Sequence, residues 1–255
     1  MALLEISNLQ LVYPNGHEAI KEVSFNAEAG EIVGVIGRSG AGKSTLLRCI
    51  NGLERATAGE IRVDGSIVTQ ADARELVRLR RRIGFVWQEF NLVDRLPVFT
   101  NVLSGRLGYK QSLAGVFGYF DREERELALR NLERVNLLHR ATQRADRLSG
   151  GEKQRAAIAR AMTQQPRILL ADEPVASLDP ELAATVLSDL ARIAREDGVL
   201  AVINIHQVEL ARQFCDRIIG LAQGVVVFDG DAADLTDDVL DRVYRFDRQA
   251  AVLQV

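Results

Sequence analysis

The segment from residue 37 to residue 44 constrains this chain more than any other, because it reads Gly-Arg-Ser-Gly-Ala-Gly-Lys-Ser. It fits the pattern Gly-x-x-x-x-Gly-Lys-Ser/Thr of a phosphate-binding loop. The glycines let successive backbone N–H groups curl around phosphates, Lys43 can reach the β- and γ-phosphate oxygens, and the Ser44 hydroxyl can ligate Mg²⁺. Residues 31–36 predict a short buried strand, and residues 43–51 predict a helix whose N-terminus would meet the phosphates. The sequence therefore predicts a nucleotide-binding fold.

A second motif joins an apolar run to two carboxylates. Residues 168–171 are Ile-Leu-Leu-Ala, and Asp172 and Glu173 follow directly. A buried strand with an acidic residue at its carboxyl end is typical of the metal position in a Mg²⁺-dependent nucleotide site. We therefore predict that Asp172 holds Mg²⁺ through water and that Glu173 orients or deprotonates the attacking water. An Asp-Glu pair that merely ends a strand is the alternative.

The third motif is Leu-Ser-Gly-Gly-Glu-Lys-Gln at residues 148–154, where a helix is predicted to begin. Ser149 suits the N-cap position, and Gly150 and Gly151 leave backbone N–H groups exposed. A helix start of this kind can bind an anion, although the same residues also fit an ordinary capped helix.

Composition restricts the class of protein further. The chain has 255 residues, 47% of them hydrophobic, so it can bury a large core. Its net charge is −3, with acidic and basic residues dispersed, which argues against nucleic acid as the main partner. The basic run at 78–82 is expected to be a solvated helix face. The sequence has no apolar run of membrane-spanning length and no signal-peptide pattern. Cys49 and Cys215 are expected to be reduced core residues of a cytosolic protein.

Hydrophobic periodicity predicts a single α/β domain over residues 1–255. Strand patterns at 3–6, 10–13, 19–27, 60–63 and 66–68, with turn residues between them, predict an antiparallel sheet, and residues 121–135 predict a charged amphipathic helix. Strand-like runs at 167–171 and 200–205 flank a predicted helix at 180–195, which indicates a parallel sheet. We therefore predict a P-loop nucleoside-triphosphatase core with a mainly parallel sheet and an antiparallel β subdomain (1–88 and 152–230), an inserted α-helical subdomain (89–151) and a C-terminal helical tail (231–255).

Taken in order, the motifs resemble those of the ATP-binding cassette family. The phosphate loop is followed by Leu-Ser-Gly-Gly-Glu, by Leu-Leu-Ala-Asp-Glu-Pro, by Ser-Leu-Asp at residues 177–179 and by His206. The resemblance covers essentially the whole chain, and Leu-Ser-Gly-Gly-Glu-Lys-Gln is highly specific to the family. It implies an ATPase that uses ATP and Mg²⁺, in a homodimer whose two chains enclose two ATP molecules head to tail.

The resemblance also implies roles for individual residues. Tyr13 would stack on adenine, although an ordinary strand tyrosine is the alternative. Gln88 would sense Mg²⁺ and link the site to a membrane partner, His206 would contact the γ-phosphate, and Asp179 would lie in the loop that crosses the dimer interface. The implied catalytic residues are Glu173, His206 and Gln88, and the implied metal ligands are Ser44, Gln88 and Asp172. The other implied nucleotide contacts are Gly37, Arg38, Ser39, Gly40, Ala41, Gly42, Lys43, Ser44 and Thr45, with Ser149, Gly150 and Gly151 of the partner chain.

Within the family, the sequence favours transport. Gln88 and Ser149 are too close together for the long coiled coils of cassette proteins that act on DNA, and the space suits a helical subdomain alone. A finer similarity, to the ATPase subunit of phosphonate importers, lies in residues 89–93, 103–118, 120–124 and 206–209, including an apolar insert at 113–120.

This similarity implies a larger assembly. The chain would act as a homodimer at the cytoplasmic face of the inner membrane, on two permease subunits, with a periplasmic or lipid-anchored solute-binding protein as an indirect partner. The expected cargo is a phosphonate or a related phosphorus oxyanion. An importer ATPase for another small solute, such as an amino acid, and a nucleotide switch outside transport remain alternatives, because the solute would not touch this chain.

Overall fold

The computed structural model describes residues 2–110 and 119–252, with side chains as far as residue 245. Residues 111–118, which hold most of the apolar insert predicted at 113–120, lie outside these ranges. Within the described residues the elements follow in this order: β1 (Leu4–Val12), β2 (Glu18–Ala27), β3 (Ile32–Ile36), α1 (Lys43–Ile50), β4 (Ala58–Val63), β5 (Ser66–Ile67), α2 (Ala73–Arg80), β6 (Ile83–Val86), α3 (Val98–Leu103), α4 (Arg122–Arg134), α5 (Gly150–Thr163), β7 (Ile168–Asp172), α6 (Pro180–Asp197), β8 (Leu200–Asn204), α7 (Val208–Phe214), β9 (Arg217–Ala222), β10 (Val225–Asp231) and α8 (Asp237–Val252).

The first sheet is antiparallel, with the strand order β2-β1-β4-β5. It confirms the antiparallel sheet predicted from the alternating pattern before position 69. Two strands predicted at 3–6 and 10–13 form one strand, β1. Asn8 lies between them with a left-handed φ of 47°, and the pairing of β1 with β2 shifts register there without ending the strand.

The second sheet has six strands in the order β10-β9-β3-β8-β7-β6, and all neighbours except β10 and β9 are parallel. Every residue of β3, β7 and β8 is buried. Near-continuous burial of apolar strands is the pattern of a parallel sheet covered on both faces. The strand–helix–strand prediction for residues 167–205 is thereby confirmed, with α6 as the crossover helix.

Two hydrophobic clusters cover the two faces of the parallel sheet. Val33 and Val35 of β3 pack with the antiparallel sheet and α1, whereas Ile32 and Ile36 pack with α5 and α6. Burying each such aliphatic side chain contributes roughly 1.5–3 kcal/mol to the free energy of unfolding. The strands that carry the loops at their carboxyl ends are therefore packed on both faces.

Helices α3, α4 and α5 pack against one another. Both α4 and α5 begin with a capping box. Asp121 accepts a hydrogen bond from the Glu124 N–H at 2.9 Å, and Ser149 accepts one from the Glu152 N–H at 3.3 Å. The predicted helix at 121–135 and the predicted N-cap at Ser149 are therefore confirmed.

The basic run at 78–82 is a solvated face only in part. Arg78 is exposed, but Arg80 is half-buried and donates to the backbone carbonyls of Asn51 and Gly52 at 3.1 and 2.7 Å. The helix α2 ends at Arg80, so the rest of the run is not on a helix face. The guanidinium group of Arg80 instead ties α2 to the end of α1.

Cys49 and Cys215 are free and buried, as expected for core residues. Burial raises the pKa of each thiol to about 12. In the part of the chain that the structure describes, no helix has the length and apolarity needed to cross a membrane.

Candidate active site

Four adjacent strands of the parallel sheet deliver the predicted site residues to one edge. In the strand order β3-β8-β7-β6, the phosphate loop follows β3, His206 follows β8, Asp172 ends β7 and Gln88 follows β6. Because parallel strands have their carboxyl ends at the same edge, residues that are distant in sequence lie side by side there.

The phosphate loop requires glycine at two positions where it touches other backbone. A Cβ atom on Gly37 would lie 2.2 Å from the carbonyl oxygen of Leu221, and one on Gly42 would lie 2.5 Å from that of Ala19. Both glycines also have positive φ, at 149° and 102°. The loop is therefore fixed against β9 and β2 at separations that no other residue type permits.

Helix α1 begins directly after this loop and has no side-chain cap. Gly42 occupies the N-cap position, and the first turn contains no acidic residue. The first N–H groups of a helix have no intrahelical acceptor, and the helix dipole favours negative charge at this end. An anion such as a phosphate group suits this helix start.

Lys43, in the first turn of α1, is 4% exposed. Its Nζ atom donates to the backbone carbonyls of Gly37 at 2.8 Å and Arg38 at 3.0 Å. Burial lowers the pKa of Lys43 below its usual value, while the nearby carboxylates of Glu173 and Asp172 act in the opposite direction. The ammonium group thus lies under the loop, beside both carboxylates of the second motif.

Ser44 and Asp172 meet as the two motifs predicted. The Ser44 hydroxyl donates to Oδ1 of Asp172 at 2.8 Å. A third residue, Asn204 at the end of β8, donates from Nδ2 to the same oxygen at 2.7 Å. The sequence analysis did not identify Asn204. A signal was present, since Asn204 is the one polar residue of the strand Leu-Ala-Val-Ile-Asn that precedes His206.

Glu173 and His206 form a second pair at the same edge. Nε2 of His206 lies 2.6 Å from Oε1 of Glu173. Glu173 has a left-handed φ of 49°, a conformation that costs a non-glycine residue roughly 1–2 kcal/mol. The backbone turns at Glu173 as β7 ends, and the carboxylate meets the imidazole from the neighbouring strand.

Tyr13 lies beside the phosphate loop. Its hydroxyl is 3.2 Å from the Thr45 hydroxyl of α1, and its ring is parallel to that of His17 with the centroids 6.3 Å apart. Tyr13 is half-buried, so part of the ring remains accessible to a planar ligand. Gln88 is exposed two residues beyond Val86, whose strand pairs with β7 next to Asp172.

The third motif lies at the N-terminus of α5, and Asp179 lies at the N-terminus of α6. Ser149 and Gly150 are exposed, whereas Gly151 is buried against Leu182, since a Cβ atom on Gly151 would lie 2.5 Å from that side chain. Asp179 is exposed and caps α6 by accepting a hydrogen bond from the Leu182 N–H at 3.0 Å. The structure therefore joins the third motif to Asp179 through Leu182 of α6.

The donor set at the sheet edge fits a magnesium–nucleotide complex. The uncapped start of α1 and the glycine loop suit phosphates, and Ser44 and Asp172 offer the oxygen ligands that Mg²⁺ prefers. Among the described residues, no group of three or more His, Cys, Asp or Glu side chains could hold a metal ion. Ser44 and Asp172 would supply part of the coordination, as is usual where Mg²⁺ is shared with substrate phosphates.

Comparison with known proteins gives a family and close relatives. A family model described as ABC transporter matches residues 20–176. The chain is 49% identical over 244 residues to the phosphonates import ATP-binding protein PhnC of Staphylococcus aureus strain USA300, covering 96% of this chain and 95% of that protein. The PhnC protein of strain MRSA252 is 48% identical over the same shares of both chains.

Two solved structures are similar over nearly the whole fold. The dimeric post-hydrolysis state of the ATP-binding cassette MJ0796, bound to ADP and Pi, is 36% identical with a TM-score of 0.78, covering 90% of this chain and 98% of that one. The protein cbiO1 from Clostridium perfringens, part of the ABC transporter complex cbiONQ, is 25% identical with a TM-score of 0.83, covering 100% of this chain and 99% of that one.

Proposed function

This chain belongs to the ABC transporter family as an ATPase, and we propose that it drives a bacterial importer of phosphonates or closely related phosphorus oxyanions. The observation that carries the cargo proposal is the 49% identity to a phosphonates import ATP-binding protein over almost the full length of both chains. The aligned region extends well beyond the motifs that bind nucleotide, so the similarity is not limited to the shared chemistry of the family.

The proposed mechanism assigns roles to the residues at the sheet edge. The N–H groups at the start of α1 and the ammonium group of Lys43 bind the phosphates, and Tyr13 stacks on the adenine. Glu173 accepts a proton from the attacking water, and His206 holds its carboxylate in place and contacts the γ-phosphate.

Ser44 and Asp172, with Gln88 from the adjacent strand, are the residues that would hold Mg²⁺. When bound, this ion supplies a Lewis acid for the phosphate oxygens. The 2.8 Å hydrogen bond between Ser44 and Asp172 supports the pairing, because it places a hydroxyl and a carboxylate side by side.

We further propose that two copies of the chain form the active unit, with Ser149, Gly150, Gly151 and Asp179 of one copy completing the site of the other. Two observations support this. Ser149 and Gly150 are exposed at the start of α5, and a 36% identical relative has a structure described as dimeric.

The dimer would act on two permease subunits at the cytoplasmic face of the membrane, with a solute-binding protein as an indirect partner. We propose that the permease contacts the segment after Gln88. A cavity of about 350 Å³ lies beside this segment, lined among others by Phe85, Trp87, Asn91 and Arg160, and it offers aromatic and polar groups to a short helix. In this proposal residues 89–151 act as the helical subdomain that links the cavity to the third motif.

The proposal is tested by transport. The chain, reconstituted in vesicles with its proposed permease and binding protein, should take up an alkylphosphonate or phosphite only when ATP is inside the compartment that holds the chain. Phosphate and an amino acid serve as competing solutes, and vesicles with Glu173→Gln serve as the control for ATP-driven uptake.

The outcomes separate the two parts of the proposal. Uptake of the amino acid without any phosphorus compound would refute the cargo while leaving the ATPase role intact. ATP hydrolysis without uptake of any solute, in an assembly shown to contain the permease, would instead support a nucleotide switch outside transport.

A further inference from the structure

Asn204 is placed where the two halves of the candidate site join. It is the last residue of β8, which lies between β3 and β7 in the sheet. Its backbone pairs with Asp172 on one side and with Val35, just before the phosphate loop, on the other. Its side chain is fully buried, with 0% exposure. Asn204 is thus the central residue between the loop that would bind phosphate and the carboxylate that would face the metal.

The hydrogen bonds of Asn204 converge on the metal-binding residues. Its Nδ2 atom donates to Oδ1 of Asp172 at 2.7 Å and lies 3.4 Å from the Ser44 hydroxyl oxygen. The Ser44 hydroxyl donates to the same Asp172 oxygen at 2.8 Å. An ionised carboxylate can only accept, so the amide must present its nitrogen and not its oxygen to Asp172. The carboxylate is therefore held by two donors on Oδ1, and neither bond uses Oδ2.

This arrangement has a cost that an aliphatic side chain would avoid. Oδ1 of Asn204 is buried without a hydrogen-bond partner among the described residues. A buried amide oxygen left unpaired is unfavourable, and the other four residues of β8 are apolar. Val or Leu at this position would avoid this cost but would remove one of the two donors to Oδ1 of Asp172. The amide must contribute something at Asp172 that those residues cannot.

We propose that Asn204 is a positioning residue that fixes the Asp172 carboxylate and the Ser44 hydroxyl for the metal ion of the metal–nucleotide complex. It acts through Asp172 and does not itself touch the nucleotide. The inference rests on the proposed ATPase site. It adds a residue that none of the three sequence motifs contains.

The test replaces the amide while keeping a residue suited to a buried strand. Asn204→Val removes the hydrogen-bond donor to Asp172. Asn204→Thr keeps nearly the original side-chain volume but also removes this hydrogen bond, because the threonine hydroxyl is one bond closer to the backbone than Nδ2 of asparagine. ATP affinity of the full-length protein is measured by calorimetry with excess chelator and again with saturating Mg²⁺. The gain in affinity on adding Mg²⁺ should fall by on the order of tenfold in both variants, since a hydrogen bond to a charged group is lost. The affinity with chelator should change by less than about twofold, because Lys43 and the loop are untouched.

Two further readouts separate positioning from packing. With Mn²⁺ as the probe, the electron paramagnetic resonance spectrum of the nucleotide complex should change in Asn204→Val but not in Ile203→Val. Ile203 is the preceding, fully buried residue of β8, and its variant controls for repacking of the strand. Steady-state hydrolysis by Asn204→Val should need a higher Mg²⁺ concentration for half-maximal rate.

The proposal is overturned if both Asn204 variants keep the wild-type gain in affinity on adding Mg²⁺, whatever happens to their melting temperatures. It is also overturned if Ile203→Val loses the gain equally. Failure of the underlying ATPase site is distinguishable, because the wild-type protein would then show no Mg²⁺-dependent gain in ATP affinity at all.

Discussion

The ammonium group of Lys43 is buried beneath the phosphate loop and donates to the uncharged carbonyls of Gly37 and Arg38. Burial lowers its pKa, and the nearby carboxylates of Glu173 and Asp172 offset this only in part. A phosphate group in the loop would give this cation a directly hydrogen-bonded anion at little cost in rearrangement, since the side chain is already held beside the loop.

Lys43→Ala should therefore weaken ATP binding by ~1.5–3 kcal/mol, the value of a charge-assisted hydrogen bond to an anion. Calorimetric titration with ATP and Mg²⁺ measures the loss. Thermal unfolding of the variant without nucleotide provides the control, because a collapsed loop would lower stability as well as affinity. Unchanged affinity would show that the loop is not the phosphate site.

The paired Glu173 and His206 side chains lead to a second prediction. Glu173→Gln keeps the shape of the side chain and the left-handed turn but removes the base, so ATP should still bind while hydrolysis slows by on the order of 10²–10⁴-fold. Single-turnover hydrolysis measures this rate. The matched control is Glu133→Gln, on the exposed face of α4, which should hydrolyse ATP at the wild-type rate. A Glu173→Gln variant as active as the control would exclude the proton-accepting role.

The sequence predicted the residues of this site to the extent that their motifs are local. Lys43, Ser44 and Asp172 were predicted as site residues because their motifs follow or end recognisable strands. The structure brings them together at one sheet edge, and their roles stay predictions. The role of Asn204 depends on the neighbours of β8 in the sheet, and a single sequence does not state strand order. The hydrogen bond from Asn204 to Asp172 could therefore be found only in three dimensions.

At the scale of elements, α5 is joined to the segment after Gln88 by one side chain. Arg160 of α5 donates to the backbone carbonyls of both Phe90, at 2.8 Å, and Asn91. Phe90 and Asn91 have left-handed φ angles of 57° and 50°, so this turn needs support from its surroundings. Arg160 is half-buried, and this burial lowers the pKa of its guanidinium group. The helix that begins with the third motif thus holds the segment proposed to face the permease.

We expect Arg160→Lys to uncouple these elements, because an ammonium group cannot bridge two carbonyls with the geometry of a guanidinium group. The free energy of unfolding of the variant should fall by ~1–2 kcal/mol, which is about the contribution of one hydrogen bond from a charged donor. Its basal ATPase rate should stay near that of the wild type, while stimulation of hydrolysis by the permease and loaded binding protein should fall. The rates are compared with those of Arg130→Lys, a change on the exposed surface of α4.

Equal stimulation of the Arg160→Lys and Arg130→Lys variants would contradict a coupling role for Arg160. A loss of basal activity together with stimulation would instead indicate a general effect on α5, which thermal unfolding of both variants would reveal.

Elements were predicted well where periodicity is strong and less well where a single residue changes the path. The bounds of α1, α4 and β8 agree with the predicted segments to within one or two residues at each end. In β1, the left-handed Asn8 interrupts the alternation of apolar residues, and the pattern therefore indicated two strands. The basic run after α2 was predicted as solvated because the contact of Arg80 with the end of α1 is tertiary.

At the scale of the whole molecule, one chain presents two separate groups of predicted site residues. The phosphate loop, Asp172 and Glu173 lie at the edge of the parallel sheet, whereas the third motif lies at the start of α5 and Asp179 lies at the start of α6. The N-terminus of α5 favours an anion. In the proposed dimer, that anion is the phosphate of the nucleotide bound by the phosphate loop of the partner chain. A two-fold dimer that faces each loop with the third motif of the partner would complete two equal sites.

Ser149→Arg tests this arrangement when combined with Lys43→Ala. Arg at position 149 should leave ATP binding to the monomer intact but fill the proposed trans pocket for the γ-phosphate, so each single-variant dimer should be inactive. A mixed dimer, isolated through two different affinity tags, has one site with both defects and one site with neither. Its hydrolysis rate should therefore recover to about half of the wild-type rate if the two sites act independently.

The comparison requires that the arginine itself does no general harm. Ser7→Arg places the same side chain at an exposed position of β1 that belongs to neither group of site residues, and this variant should keep full activity as a dimer. If sites were instead completed within one chain, both subunits of the mixed dimer would carry a broken site, and no activity would return. A mixed dimer that is verified by mass and remains inactive would therefore exclude sites shared across the interface, because only the trans arrangement restores one intact set of residues.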